Sequence, residues 1–290
     1  MPAGGAITIM MKNETILKLR EKIRKCIPQD YLQLKPNTPG HVYYDPRTGA
    51  EFISVTSKLH IISNPIFAGW RMNRALEYMF DHKDEINKDN FNDYVKKAKE
   101  YPEILFEEAG KFGTKVHGYI HLYFTQWILD NRQPSSILHF IDGTRTTKET
   151  DFRVWSALRS LEAWVNKNGY VPLASEIIVW SQRYHLAGTM DNVGVDKTGR
   201  VGFPDWKTSN NFSDNYHAQV GAYYGAFYEL THIRGEWGKI VKLDKERGDP
   251  EEESLDNLRS CFKTFMLAAH LYDDIQNIRF LRKPDNKVRI

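Results

Sequence analysis

The chain has 290 residues, 41% hydrophobic and 13% aromatic, enough apolar material for one large domain or for a domain with an appendage. Charged residues make up 27% and nearly cancel, leaving a formal net charge of +3, so disorder is excluded while nucleic acid is neither required nor excluded. Two distant cysteines, Cys26 and Cys261, exclude a disulfide framework and a four-cysteine cluster, and no apolar run approaches a membrane span.

Residues 1–49 read as an N-terminal helix and connector, and residues 50–290 as the main domain. From Glu14 to Cys26, the residues Ile16, Leu19, Ile23 and Cys26 recur at helical spacing with basic residues opposite, which predicts a docked surface helix rather than a nucleic-acid arm. Pro28 to Pro46 is an irregular connector in which HVYYD is a short strand or hairpin arm, and the RTG at 47–49 turns into EFISVTS. Asn64-Pro65 is a helix start, with Ile66, Trp70, Leu76, Met79 and Phe80 expected inward and Arg71 and Arg74 exposed. Arginines on an exposed helix face are usually just solvated, but near a nucleic-acid site they hold phosphates. Residues 82–100 form a charged, loosely helical approach.

The next helix, through residue 130, has the inner stripe Val116, Ile120, Tyr123 and Trp127. Gly113 and Gly118 each weaken it by about 0.5–1 kcal/mol relative to alanine, which predicts close packing or a kink. His117 and His121 stand four apart as a zinc pair would, yet no glutamate follows the first, so a zinc-protease motif is absent. By spacing alone each reads as a structural histidine. Residues 131–149 read as a polar loop. An amphipathic helix follows on Val154, Trp155, Leu158, Leu161 and Val165, stopped at Gly169.

Glu176 opens the β-rich run EIIVW, Asp191 follows Gly188-Thr189 in the second such run, and Asp205 and Lys207 flank Trp206 in the third. Period-two geometry puts Asp205 and Lys207 on one face, and pairing through the DKTGR turn lets Asp191 join them. Two carboxylates with an intervening backbone carbonyl make a hard oxygen site suited to Mg²⁺ or Mn²⁺. A lysine beside such an ion orients a water or stabilises charge developing on a phosphate. Tyr216 to Leu230 reads as a helix with Gln219 and Tyr223 on one side, GKIVKLD as a strand, and residues 251–281 as one long helix on Leu255, Leu258, Phe262, Phe265, Ala269 and Tyr272.

In this order GTMD, DWKTS and QVGAYYGA, preceded by the histidine of GTKVHGYIH, resemble the RecB-like branch of the P-D-(D/E)-x-K nuclease superfamily. The motifs DWKTS, VTSKL and PIFAGW look most like the mitochondrial genome maintenance exonucleases and related phage exonucleases, and the resemblance covers roughly residues 50–280. It implies an α/β fold: a restriction-endonuclease-like core with a central mixed sheet flanked by helices, plus N-terminal helical additions. His117, Asp191, Asp205 and the Trp206 carbonyl become the expected metal ligands, with Glu176 as a further acid near the site. Asp191, Asp205, Lys207 and Glu176 form the catalytic set, and Gln219 and Tyr223 support it or the substrate strand. The Pro204-Asp205 pair looks like the superfamily's first acid, but Asp205 fits the later Asp-x-Lys position and Asp191 is the first. Some relatives hold an iron–sulfur cluster on four cysteines, so the expectation here is a cluster-free protein.

The implied activity is that of a Mg²⁺- or Mn²⁺-dependent DNA exonuclease preferring single strands, serving DNA processing, recombination or repair. Strand contacts are expected over residues 54–82, at Ser57, Lys58, Trp70 and Arg71. The alternatives are a structure-specific or restriction-type endonuclease of the same fold, or a non-catalytic DNA-binding protein. A zinc protein on His117 and His121 lacks further ligands at a recognisable spacing. An N-terminus without a signal-peptide plan and a near-absence of cysteine point to an intracellular, cytoplasmic setting with no membrane partner, an organellar matrix remaining open.

Overall fold

The computed structural model describes residues 4–36, 41–62, 65–144 and 149–281. Helix α1 (Gly4–Cys26) buries Ile16 and Ile23 on the stripe its spacing predicts. Two short strands, β1 (Gln33–Leu34) and β2 (Val42–Tyr44), lead through a turn closed by Gly49 at φ +74° into β3 (Glu51–Ser54). Ser54 caps the short helix α2 (Val55–Leu59) by accepting from the Ser57 N–H. Helices α3 (Pro65–Asp81) and α4 (Phe91–Asp130) pack against each other, and α4 runs forty residues straight through Pro102. Then come α5 (Ile137–Thr144) and α6 (Phe152–Asn168), the latter begun by the Asp151 cap and ended by Gly169 at φ +55°.

The second half alternates strands with two helices. In order they are β4 (Val171–Ser181), β5 (Leu186–Val195), β6 (Val201–Lys207), α7 (Asp214–Thr231), β7 (Trp237–Lys242), β8 (Glu251–Leu255) and α8 (Leu258–Leu281). All eight strands join one mixed sheet, so the protein is α/β with helices flanking that sheet. Strand β4 lies along the whole of β5 on one edge. On the other edge β5 is shared: Leu186 and Ala187 pair in parallel with β3, and Gly194 and Val195 pair antiparallel with β6. Between those two pairings β3 and β6 diverge and leave a fork beside the middle of β5. Beyond the fork β6 pairs in parallel with β7 from Gly202 to Lys207.

Two apolar layers cover the sheet. One holds residues of α1, α2, α7 and α8, with Val201, Phe203 and Ile240 from the strands. The other holds residues of α4, α5 and α6, with Trp206 and Val241. Neighbouring strand residues fall in opposite layers, as a period-two pleat requires. The free edge of β4 is covered by the N-terminal segment. Arg20 donates to the Pro172 carbonyl at 2.8 and 3.2 Å, and the Ile178 N–H donates to Gln29 Oε1 at 3.2 Å. Such cover removes an exposed strand edge that another chain could pair with.

Several sequence expectations change. The core crosses the boundary drawn at residue 49, because Ile16, Ile23, Ile27, Leu32 and Tyr43 belong to the same cluster as the central strands. On α3, Leu76 and Phe80 are 60% and 67% exposed rather than inward, since the face toward α4 carries Tyr78 and a half-buried Arg74. The Asn64 cap and the Ile66 side chain lie outside the described residues. The expected loop at 131–149 contains α5, whose Ile137 and Ile141 are buried; four apolar residues within an eight-residue helix are too short a run to show a helical period in a polar context. The single helix expected over 251–281 is β8 followed by α8, because β7 offers an edge on which Lys239 and Lys242 pair with Glu252 and Glu251. Gly113 is a point of close approach, as expected, whereas a Cβ at Gly118 would meet open space.

Candidate metal centre

The fork explains how residues from both helical layers reach one place. Asp205 and Lys207 lie two apart on β6 and project together, Lys207 Nζ standing 2.7 Å from Asp205 Oδ2. Across the fork, the Asp191 carboxylate takes the place of a missing strand pairing: Asp191 Oδ2 accepts from the Trp206 N–H at 2.8 Å. The register that pairs Ser175 with Asn192 and Ile177 with Met190 sets Glu176 opposite Asp191. From the α4 layer, His117 reaches in. Its Nδ1 is 3.3 Å from Glu176 Oε1 and 3.7 Å from Asp191 Oδ1, and its Nε2 is 3.1 Å from the Trp206 carbonyl. With Nε2–H donating to that carbonyl, Nδ1 is the nitrogen that faces both acids. From the α7 layer, Gln219 Oε1 accepts from Lys207 at 3.2 Å, and Gln219 Nε2 donates to the Tyr223 hydroxyl at 2.9 Å.

Among the described residues, His117, Glu176 and Asp191 form the group whose ligand atoms lie within 4.8 Å of one another, as a metal site requires. Asp205 stands just outside this group. Both of its oxygens are buried, and its near partner is the Lys207 ammonium, 2.7 Å from Oδ2. A buried carboxylate is costly unless a cation compensates it. Three clustered acids, Glu176, Asp191 and Asp205, share one lysine and one histidine, and that excess of carboxylate fits a hard divalent cation.

Charge in the cluster is finely opposed. Burial works against the His117 imidazolium, but Asp191 and Glu176 outweigh it and raise its pKa to about 9. Burial lifts Asp205 to about 6 against the pull of Lys207, and it raises Asp191 against the pull of His117. Lys207 would lose its proton more easily on burial alone; Asp205 and Asp191 hold it charged. Burial and the clustering of like charges oppose ionisation here, while the opposite charges of His117 and Lys207 favour it.

Eight of the expected residues are therefore brought together: His117, Glu176, Asp191, Asp205, Trp206, Lys207, Gln219 and Tyr223. The four expected strand contacts are not among them. Ser57 is spent in the α2 cap, the buried Lys58 ammonium is held by both Asp273 oxygens at 2.7 Å, Arg71 pairs with Glu103, and Trp70 is half-buried on α3. His121 does not join His117; its Nδ1 lies 3.4 Å from Ser175 Oγ. Sequence reasoning missed Tyr43, Thr189 and Tyr216. The Tyr43 hydroxyl meets Thr189 Oγ1 at 3.0 Å, two residues before Asp191 on the same strand face, and Lys207 sits 4.8 Å over the Tyr216 ring. Thr189 could have been found by period two from Asp191; Tyr43 carries no such signal. Gly188 is explained by Tyr223, whose ring occupies the space a Cβ would need.

Fold and site together define an α/β protein whose forked mixed sheet carries a histidine–carboxylate cluster beside a buried lysine. No protein-family model and no curated protein matches the chain. None of the described helices is long and apolar enough to cross a membrane.

Proposed function

We propose that the protein is a metal-dependent nuclease with a restriction-endonuclease-like core of the RecB-like type. It hydrolyses DNA phosphodiesters, as an exonuclease preferring single strands. The observation that carries the reading is the clustering of a buried Asp205–Lys207 pair beside the His117–Glu176–Asp191 group. His117, Glu176, Asp191 and Asp205 would hold Mg²⁺ or Mn²⁺. A divalent cation bound there lowers the pKa of a water and offsets charge developing on the phosphate.

The chain's own residues divide the remaining work. Lys207, held charged by two acids and steered by Gln219, is placed to orient a water or to donate to a non-bridging phosphate oxygen. Tyr223 fixes Gln219, so the lysine's direction is set by a hydrogen-bonded relay rather than by a free side chain. Asp191 does two things at once. One oxygen faces His117, and the other holds the Trp206 amide, which locks β6 at the distance the cluster needs.

The test is cleavage of end-labelled oligonucleotides with free and blocked termini, as single-stranded DNA, duplex DNA, circular single-stranded DNA and RNA, in Mg²⁺, Mn²⁺ or EDTA. Shortening of linear single-stranded DNA with free ends is expected, lost reversibly in EDTA. Lys207→Ala and Asp205→Asn should each lower the rate by ~10²–10³-fold or more. Activity retained in either variant would sink the assignment. Cleavage of the circular substrate would favour the endonuclease alternative.

A further inference from the structure

The two cations expected to meet a substrate already have carboxylates, Lys58 with Asp273 and Arg71 with Glu103, and Lys242 is likewise paired with Glu251. Lys245 differs. It follows Asp244, whose carboxylate is occupied by the backbone N–H groups of Glu246 and Arg247, and it makes no ion pair among the described residues. Its ammonium lies 5.8 Å from the centre of the Phe112 ring, and the Arg153 guanidinium lies 5.2 Å from the same centre. Asp151 engages Nε and Nη2 of that arginine. Two cations thus converge on one aromatic ring within cation–π range. Burial, then the nearby Arg153, pushes the Lys245 pKa down against the opposing pull of Glu246 and Asp244.

This patch adjoins the metal cluster. Phe112 precedes Gly113, and a Cβ at Gly113 would stand 3.2 Å from the hydroxyl of Thr208, the residue after Lys207. His117 lies further along α4. At about 1.5 Å per residue the offset from Phe112 to His117 is about 7.5 Å along the axis.

We propose that Phe112, Arg153 and Lys245 form a phosphate subsite that holds the backbone of a nucleic-acid strand beside the metal cluster. The proposal rests on the nuclease reading and adds to it where the strand is gripped. Lys245 supplies the charge for one phosphodiester, Arg153 (already paired with Asp151 through Nε and Nη2) offers its Nη1 as a further donor, and the ring gives the adjoining sugar or base a flat support. Nothing in this set reads a base edge, so the grip is independent of sequence.

Fluorescence anisotropy of a 5′-labelled oligothymidylate, in EDTA to prevent cleavage and across a salt series, tests it. The wild type binds with an affinity that falls as salt rises. Lys245→Ala weakens binding roughly tenfold and lowers the log–log salt slope by about one unit. Lys245→Arg restores both, and Lys22→Ala, at an exposed position on α1, changes neither. A circular dichroism melt matching wild type shows that the alanine variant is folded. If Lys245→Ala binds with wild-type affinity and slope, the subsite is overturned while the nuclease reading stands. If the wild type neither binds the oligonucleotide nor cleaves it in Mn²⁺, both fall.

Discussion

Glu176 holds a left-handed backbone, φ +51°, in the middle of β4, where a residue with a side chain has little reason to be. Its neighbours keep strand pairing on both sides, so the surrounding sheet imposes the conformation, and the result is a carboxylate 3.3 Å from His117. Strain retained beside a charged cluster is what a functional constraint produces. Replacing Glu176 by glycine and by alanine separates the two effects. Both variants should bind Mn²⁺ more weakly in isothermal titration, since both lose the carboxylate. The glycine variant should be more stable than the alanine variant by about 1–2 kcal/mol in urea unfolding, because only glycine tolerates that φ freely. Equal stabilities would mean that no strain is held there.

At the scale of elements, α7 matters as much as the strands. It carries Gln219 and Tyr223, and its position is set by contact with α8, where Gly221 lets the two backbones approach. A Cβ at Gly221 would collide with the main chain of Cys261 and Phe262, which cannot rotate away as a side chain can. Gly221→Ala should therefore cost about 1–3 kcal/mol through overpacking. Because it displaces the helix that steers Lys207, it should also slow cleavage although it touches no ligand. Gly118→Ala on α4 is the matched control. Open space surrounds that position, so the substitution should leave stability unchanged or raise it by about 0.5–1 kcal/mol. A destabilised Gly118 variant together with an unaffected Gly221 variant would contradict this account of the helix packing.

Over the whole molecule, the N-terminal segment is part of the core rather than an appendage. Ile16, Ile23, Ile27, Leu32 and Tyr43 are buried with the central strands, and Arg20 and Gln29 close the outer edge of β4. At roughly 1.5–3 kcal/mol for each fully buried large apolar side chain, losing these five removes on the order of 10 kcal/mol. That is comparable to the entire stability of an ordinary domain, about 5–15 kcal/mol. A chain beginning at residue 50 should consequently show no cooperative thermal transition by circular dichroism, whereas the full chain should. A sharp transition in the shortened chain would restore the boundary at residue 49.

Local pattern was enough for much of this protein. The β-rich runs that form β5 and β6, the turn between them and the spacing of Asp205, Lys207, Gln219 and Tyr223 were legible because each depends on residues at most a few positions apart. The sequence alone therefore determined that an acid–lysine strand exists with both side chains on one face, and a helix with Gln219 and Tyr223 on one side; that the two meet is a tertiary contact. Spacing alone could not decide what else meets them: His117 and Glu176 were expected only through the family resemblance, and Tyr43 not at all. His117 arrives from the opposite helical layer, Tyr43 from the N-terminal hairpin, and Glu176 turns inward only because its strand pairs with β5. Those meetings depend on where β3 and β6 part company along β5, a matter of register and packing across more than a hundred residues. The same holds for the cations: whether a lysine is free for a phosphate or neutralised by a distant carboxylate, as Lys58 is by Asp273, is decided by tertiary contact and not by its neighbours in the chain.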